Sequence, residues 1–137
     1  MSAHLPVWPI VLPLLVAGAM VLLEKRGIAL QRALGLCSAL IMVLIAGWLA
    51  VRADSGEVAV YLLGNWEARI GIALAVDRLA AIMLLTTALL GLAGLLYATS
   101  GWDRRAPHFH ALFQFQLMGL NGAFLTADLF NLFVFFE

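Results

Sequence analysis

Four apolar runs, Leu5–Leu23, Ala33–Val51, Leu79–Tyr97 and Phe109–Ala127, fill more than half of this chain. Each has about the 17–25 residues that a helix needs to cross the roughly 30 Å hydrocarbon core of a bilayer. A chain in hydrocarbon must satisfy its own backbone, which leaves helices or closed barrels. Barrel strands would appear as shorter alternating segments, and none of these runs alternates. Composition agrees: 64% of the 137 residues are hydrophobic and 12% are charged, with a mean hydropathy of +1.02. A soluble domain is about a quarter charged. These runs leave too little polar surface for a soluble enzyme. The expected fold is an all-α polytopic membrane protein with four complete transmembrane helices, roughly 5–23, 33–51, 79–97 and 109–127. A fifth starts at 129 and is incomplete at 137.

Eight basic residues balance eight acidic ones, so no net charge draws the chain to nucleic acid. Cys37 is the single cysteine and lies in an apolar run, where it reads as a small buried or lipid-facing residue. The first run lacks the basic leader of a signal peptide and is longer than a signal core, so it reads as a retained helix. Pro6, Pro9 and Pro13 crowd its first half, which places the helix start after Pro6 and a bend near Pro13.

Charge orients the bundle. The first connection carries Glu24, Lys25, Arg26 and Arg32, and the third carries Asp103, Arg104 and Arg105 beside His108. Those short loops hold five of the eight basic residues. The positive-inside rule puts them in the cytoplasm and the N-terminus outside, in a multi-pass protein of the cell (inner) membrane. The outer loop, 52–76, contains two alternating stretches: Val58, Val60, Leu62 and Ile70, Ile72, Leu74, Val76. Gly64-Asn65 lies between them, which fits a short hairpin or a pair of extended strands. Tyr61 and Trp66 suit an interfacial position.

On the fourth run, His110, Gln114, Asn121 and Asp128 are separated by four, seven and seven residues, intervals that keep them near one helical face. Gln116 lies off that stripe. Two readings are open for the row. It either lines a hydrated path or joins helices by hydrogen bonds. His108 and His110, at i and i+2, point apart on a helix and suit interfacial packing better than a shared metal. Asp77 and Asp128 sit where an N-terminal cap is expected, and Asp128-Leu-Phe-Asn131 opens the last run.

Glu137 follows the largely apolar stretch Phe130–Phe136 and cannot be a cap. It lies nine residues past Asp128, about 13 Å along a helix at 1.5 Å per residue. A carboxylate near mid-membrane is costly and marks a functional site. Burial raises its proton affinity and a nearby cation lowers it, so such a group can act as a proton relay. The alternative is a structural partner for a buried lysine. None of the four spans places a lysine or arginine deep in the membrane, so either reading needs a cation elsewhere in a longer protein. The expectation is that this chain is the opening portion of one.

The run Gly101-Trp-Asp-Arg-Arg-Ala-Pro-His-Phe-His-Ala-Leu-Phe-Gln-Phe-Gln-Leu-Met-Gly-Leu-Asn-Gly-Ala-Phe-Leu-Thr-Ala-Asp-Leu-Phe-Asn-Leu-Phe-Val-Phe-Phe-Glu137 resembles the D subunit of the multisubunit Mrp-type sodium/proton antiporters. Leu5-Pro-Val-Trp-Pro-Ile-Val-Leu-Pro-Leu-Leu, Tyr61-Leu-Leu-Gly-Asn-Trp and Val76-Asp-Arg-Leu add to the likeness. The wider superfamily includes antiporter-like subunits of respiratory complex I and of membrane-bound hydrogenases. The resemblance implies a longer protein of inverted helical repeats, working beside other membrane subunits and exchanging sodium for protons. It implies that Glu137 modulates proton movement opposite a lysine beyond residue 137. His110, Gln114, Asn121, Asp128 and Asn131 form a candidate polar path. No cofactor, metal or catalytic activity of its own is expected. One alternative function is a proton-translocating subunit of a redox complex, with the redox chemistry in its partners. Another is a short membrane scaffold.

Overall fold

A computed structural model of the chain describes residues 2–56, 58–66 and 71–137. It contains five α-helices and one small hairpin: α1 (Trp8–Leu22), α2 (Ile28–Ala53), β1 (Ala59–Leu62), β2 (Ala73–Val76), α3 (Arg78–Ala98), α4 (Phe109–Leu125) and α5 (Leu129–Phe136). Among the described residues, three segments are long and apolar enough to cross a membrane: His4–Leu22, Ile28–Ala53 and Arg78–Ala98. The 17 residues of α4 span about 26 Å at 1.5 Å per residue, just short of the hydrocarbon thickness. The eight residues of α5 cover less than half of it.

A 3-10 segment, Ser2–Val7, leads into α1. Pro9 is tolerated in the first turn of α1, where its missing N–H would have had no partner. Pro13 lies deeper, and its missing N–H leaves the carbonyl of Pro9 without an intrahelical donor. At the other end of α1, Gln31 Nε2 donates to the Met20 carbonyl at 2.8 Å, in place of the donor that the finished helix cannot supply. The chain then reverses through a 3-10 turn, Glu24–Arg26, and Gly27 at φ +97°, a left-handed conformation that suits glycine. The turn is so short that α2 begins at Ile28, five residues before the expected 33. Arg32 therefore lies on a helix and not in the loop where its charge had placed it.

The loop between α2 and α3 forms an antiparallel hairpin in the register Ala59–Val76 to Leu62–Ala73. Both strands fall within the alternating stretches, but their connection is longer than a two-residue turn at Gly64-Asn65. Ile70 lies outside the described residues. The hairpin has a second task. Ala127 N–H donates to the Ala73 carbonyl at 2.9 Å, and Leu74 bridges to Thr126. Thr126 is thus extended, at ψ 139°, and α4 ends at Leu125 rather than at 127.

Packing pairs α1 with α4 and α2 with α3. The apolar core lies at the hairpin end, where Met42, Ala46, Leu49 and Ala53 meet Leu74, Val76, Ala81, Leu84, Ala88 and Leu125. Arg78 caps the exit of α2, donating from Nη2 to the Asp54 carbonyl at 2.7 Å. Asp77 caps the entry of α3 through the Ala80 N–H at 2.7 Å. Large apolar side chains, among them Leu22, Leu44, Val51, Leu90 and Tyr97, stand exposed around the outside. That distribution suits lipid as the solvent and makes this a multi-pass membrane protein.

Candidate functional site

Two polar faces of α4 define the site. The first is the row seen in the sequence. His110, Gln114 and Asn121 are all buried, with Gln114 fully so, and the inward face they share also carries Leu117 and Leu125. Each has a specific bond. Gln114 accepts from Ser38 Oγ at 3.1 Å and donates from Nε2 to the Gly35 carbonyl at 3.4 Å, tying α4 to α2. Asn121 Nδ2 donates to the Pro9 carbonyl at 2.8 Å. That carbonyl is the one Pro13 deprives of a helical donor, so Asn121 repairs the defect from a neighbouring helix.

His110 Nε2 stands 3.0 Å from Asp103 Oδ2. Asp103 lies in the short turn between α3 and α4 and is nearly fully buried. It also receives Arg32, from Nε to Oδ2 at 2.6 Å and from Nη2 to Oδ1 at 2.8 Å. This two-point grip matches the guanidinium fork to a carboxylate. The Arg32 bonds, helped by His110 and opposed by burial, hold the Asp103 carboxyl far below the usual range. Just outside, His108 Nδ1 lies 3.3 Å from Glu24 Oε1 at the exposed surface. Two buried polar atoms among the described residues have no hydrogen-bond partner, His110 Nδ1 and Asn121 Oδ1.

Asp128 departs from the expected row. Because α4 ends at Leu125, helical phase no longer carries Asp128 onto the inward face. It instead caps α5, with Oδ1 accepting from the Asn131 backbone at 2.7 Å and Oδ2 from the Asn131 side chain at 2.6 Å. Those bonds hold its carboxyl below the usual value. Asp128 and Asn131 are engaged with each other, apart from His110, Gln114 and Asn121.

The second face carries Glu137. The helix α5 folds back along α4, and Phe135 covers Gly119 and Gly122. A Cβ on Gly122 would overlap the Phe135 ring, so a glycine is required for this approach. The return brings Glu137 into an open groove of about 400 Å³ with Phe115, Gln116, Gly119 and Ala123. That is the middle of α4. Glu137 is exposed on this face, and Gln116, two residues from Gln114 and so on the opposite side of the helix, shares the groove. Arg32, Asp103 and Ser38 were not singled out from the sequence as site residues. The Arg32–Asp103 and Ser38–Gln114 partners lie 71 and 76 positions apart, and no local spacing announces such pairs. Gln116 was visible as an amide off the stripe, but only the fold-back of α5 gives it a neighbour.

No family model matches the chain. Among curated proteins, it is 46% identical to the D subunit of a probable K(+)/H(+) antiporter of Rhizobium meliloti, over 98% of this chain and 26% of that protein. It is 38% identical to the D subunit of the Na(+)/H(+) antiporter of Alkalihalophilus pseudofirmus, over 98% and 27%. It is also 38% identical to the N subunit of the NADH-quinone oxidoreductase of Desulforudis audaxviator, over 100% and 28%. Among solved structures, it matches part of the Mrp complex from a Dietzia species with a TM-score of 0.90 and 28% identity, covering 97% of this chain and 24% of the matched one. The membrane-bound sulfane sulfur reductase, an archaeal respiratory membrane complex, matches with a TM-score of 0.87 and 31% identity, covering 95% and 27%. The chain spans about a quarter of the length of the relatives it matches. Over nearly all of its residues, this chain is a homologue of part of the D subunit of the Mrp-type cation/proton antiporters.

Proposed function

We propose that the chain forms part of a subunit of a multisubunit monovalent cation/proton antiporter and contributes to proton translocation coupled to sodium efflux. The observation that carries this reading is the placement of Glu137. A helix that folds back on α4 sets an acid beside Gln116 at mid-helix, in a chain 46% identical to part of an antiporter protein. On this reading α4 is a fourth span, α5 opens a fifth, and other membrane subunits cover the exposed apolar faces. The N-terminus lies outside a cell (inner) membrane, with the Glu24–Arg26 and Trp102–Arg105 turns in the cytoplasm. Glu137 takes up and releases protons. The inward Gln114 and Asn121 chiefly join helices, with Asp128 and Asn131 shaping the turn into α5. The relatives' names divide between potassium and sodium, so the cation is the finer question.

A second reading has its own support. Similarity to part of an NADH-quinone oxidoreductase and of an archaeal respiratory complex favours proton translocation driven by redox partners. Proton flux into everted vesicles holding the complete protein separates the two. Exchange on adding sodium or potassium, with no redox substrate, supports antiport. Flux that requires a redox substrate and ignores both cations supports the second reading.

A further inference from the structure

The buried ion cluster near the start of α4 leaves one ring nitrogen unused. Asp103 takes both Arg32 bonds and is therefore an ionised, accept-only carboxylate. We assign the His110 ring hydrogen to Nε2, because only a donor suits the 3.0 Å contact with Asp103 Oδ2. In the neutral ring the free lone pair then sits on Nδ1, which is buried without a hydrogen-bond partner among the described residues. Leaving a buried polar atom unpaired costs about 1–3 kcal/mol, and a hydrophobic residue could pack here without that cost.

The ring lies at the edge of a pocket. A pocket of about 510 Å³ opens at this end of the bundle, lined by Glu24, Asp103, Arg104, Arg105, His108 and His110. On the inner side, Nδ1 lies 3.4 Å from where a Cβ on Gly35 would stand, so this side of the ring packs against α2. One turn further in is Gln114, then Asn121 with the second unpartnered atom. His110 thus stands where the pocket meets the polar row.

We propose that the Arg32–Asp103–His110 cluster is a proton-loading site, with His110 Nδ1 as the accepting atom and Arg32 and Asp103 as positioning residues. The proposal rests on the proton-transport reading above. The Nδ1 lone pair forms a new N–H bond with a proton delivered through the pocket, and the hydronium that donates it becomes water. The Nε2–H and both Asp103 oxygens are unchanged, and release reverses the step. Asp103 and Arg32 cancel before loading, so the cluster moves from neutral to a single positive charge. The other charged or titratable groups at the pocket are Glu24, Arg104, Arg105 and His108. Next to Gly35, α1 and α3 present apolar Met20 and Leu95.

The test uses the complete protein in its complex, with cation-driven proton flux measured from roughly pH 5 to 8, the range of imidazole chemistry. His110→Gln keeps a donor for Asp103 but cannot be protonated, and should flatten the pH profile at a normal level of protein in the membrane. Asp103→Asn removes the carboxylate that Nε2–H faces, and should change the shape of the pH profile at a normal level of protein. If both variants keep the wild-type profile, or lose flux equally at every pH, the cluster is structural and the proposal fails. Absence of cation-driven flux in the wild-type complex would instead overturn the antiporter reading itself. His110 loading is then judged by the same two profiles under a redox drive.

Discussion

The two polar faces of α4 differ in how their polar groups are used. On the inner face, Gln114 and Asn121 reach across to a serine and to backbone carbonyls of α2 and α1, and they are buried. On the outer face, Gln116 and Glu137 share an open groove beneath Phe135 and are exposed. An amide bonded to a neighbouring helix adds adhesion, whereas an exposed groove leaves its polar groups within reach of whatever covers that face. The contrast teaches that a polar residue in a membrane helix is not by itself a path residue.

That contrast can be broken experimentally, and the largest effect belongs to the outer face. Glu137→Gln in the complete protein should assemble normally and lose cation-driven proton exchange on the order of a hundredfold, a typical loss for a proton-transfer group. Unchanged exchange in everted vesicles would remove Glu137 from the proton route. On the inner face the expected damage is to stability. Asp103→Ala removes the carboxylate that the half-buried Arg32 guanidinium and His110 both bond, and should lower the midpoint of detergent unfolding.

The same pair predicts a pH dependence. The Asp103 carboxyl is held low in the fold by Arg32, so its stabilisation is complete above the ordinary carboxylate range near pH 4. It is lost as pH falls from there toward the lower folded value. Wild type should therefore lose stability on acidification more steeply than Asp103→Ala, and parallel curves would show that the ion pair does not set the acid limit.

Gly122→Val tests the seam between the faces. A side chain there meets the Phe135 ring, and overpacking costs about 1–3 kcal/mol. Displacing α5 moves Glu137, so exchange should fall while the ties of α4 to α1 and α2 survive, as read by crosslinking of paired cysteines. The smallest effect should come from Asn121→Leu, about 0.6 kcal/mol for one interhelical bond in a membrane. Its origin is checked by repeating the change in a Pro13→Ala background, where Pro9 regains a helical donor. The cost should shrink there. An equal cost in both backgrounds would mean that Asn121 does not serve the Pro9 carbonyl.

Several elements were legible from local pattern. The apolar runs announced α1, α2 and α3, because a helix in lipid satisfies its backbone within its own segment. Alternation around Val60 and Leu74 fitted either a hairpin or a pair of extended strands, and Asp77 and Asp128 announced caps whose partners lie three residues away. Glu137 stood out because no local role absorbs a carboxylate at the end of so apolar a stretch. Where the reading failed, distant partners were the cause. The fourth helix stops at Leu125 because Ala73 and Leu74, about fifty residues earlier in the chain, capture Ala127 and Thr126 in an extended bridge. Asp128 leaves the inward row for the same reason.

The sequence by itself determined that this is a membrane helical protein, which residues are polar within its apolar runs, and which of them cannot be explained locally. Insertion depends on the apolar content of each segment, a property read one segment at a time. Only the tertiary structure decided that Arg32 meets Asp103, that Asn121 repairs a proline defect in another helix, and that Glu137 returns to the middle of α4. A hydrogen bond depends on which donor arrives within about 3 Å. For groups dozens of residues apart, the packing of whole helices settles that.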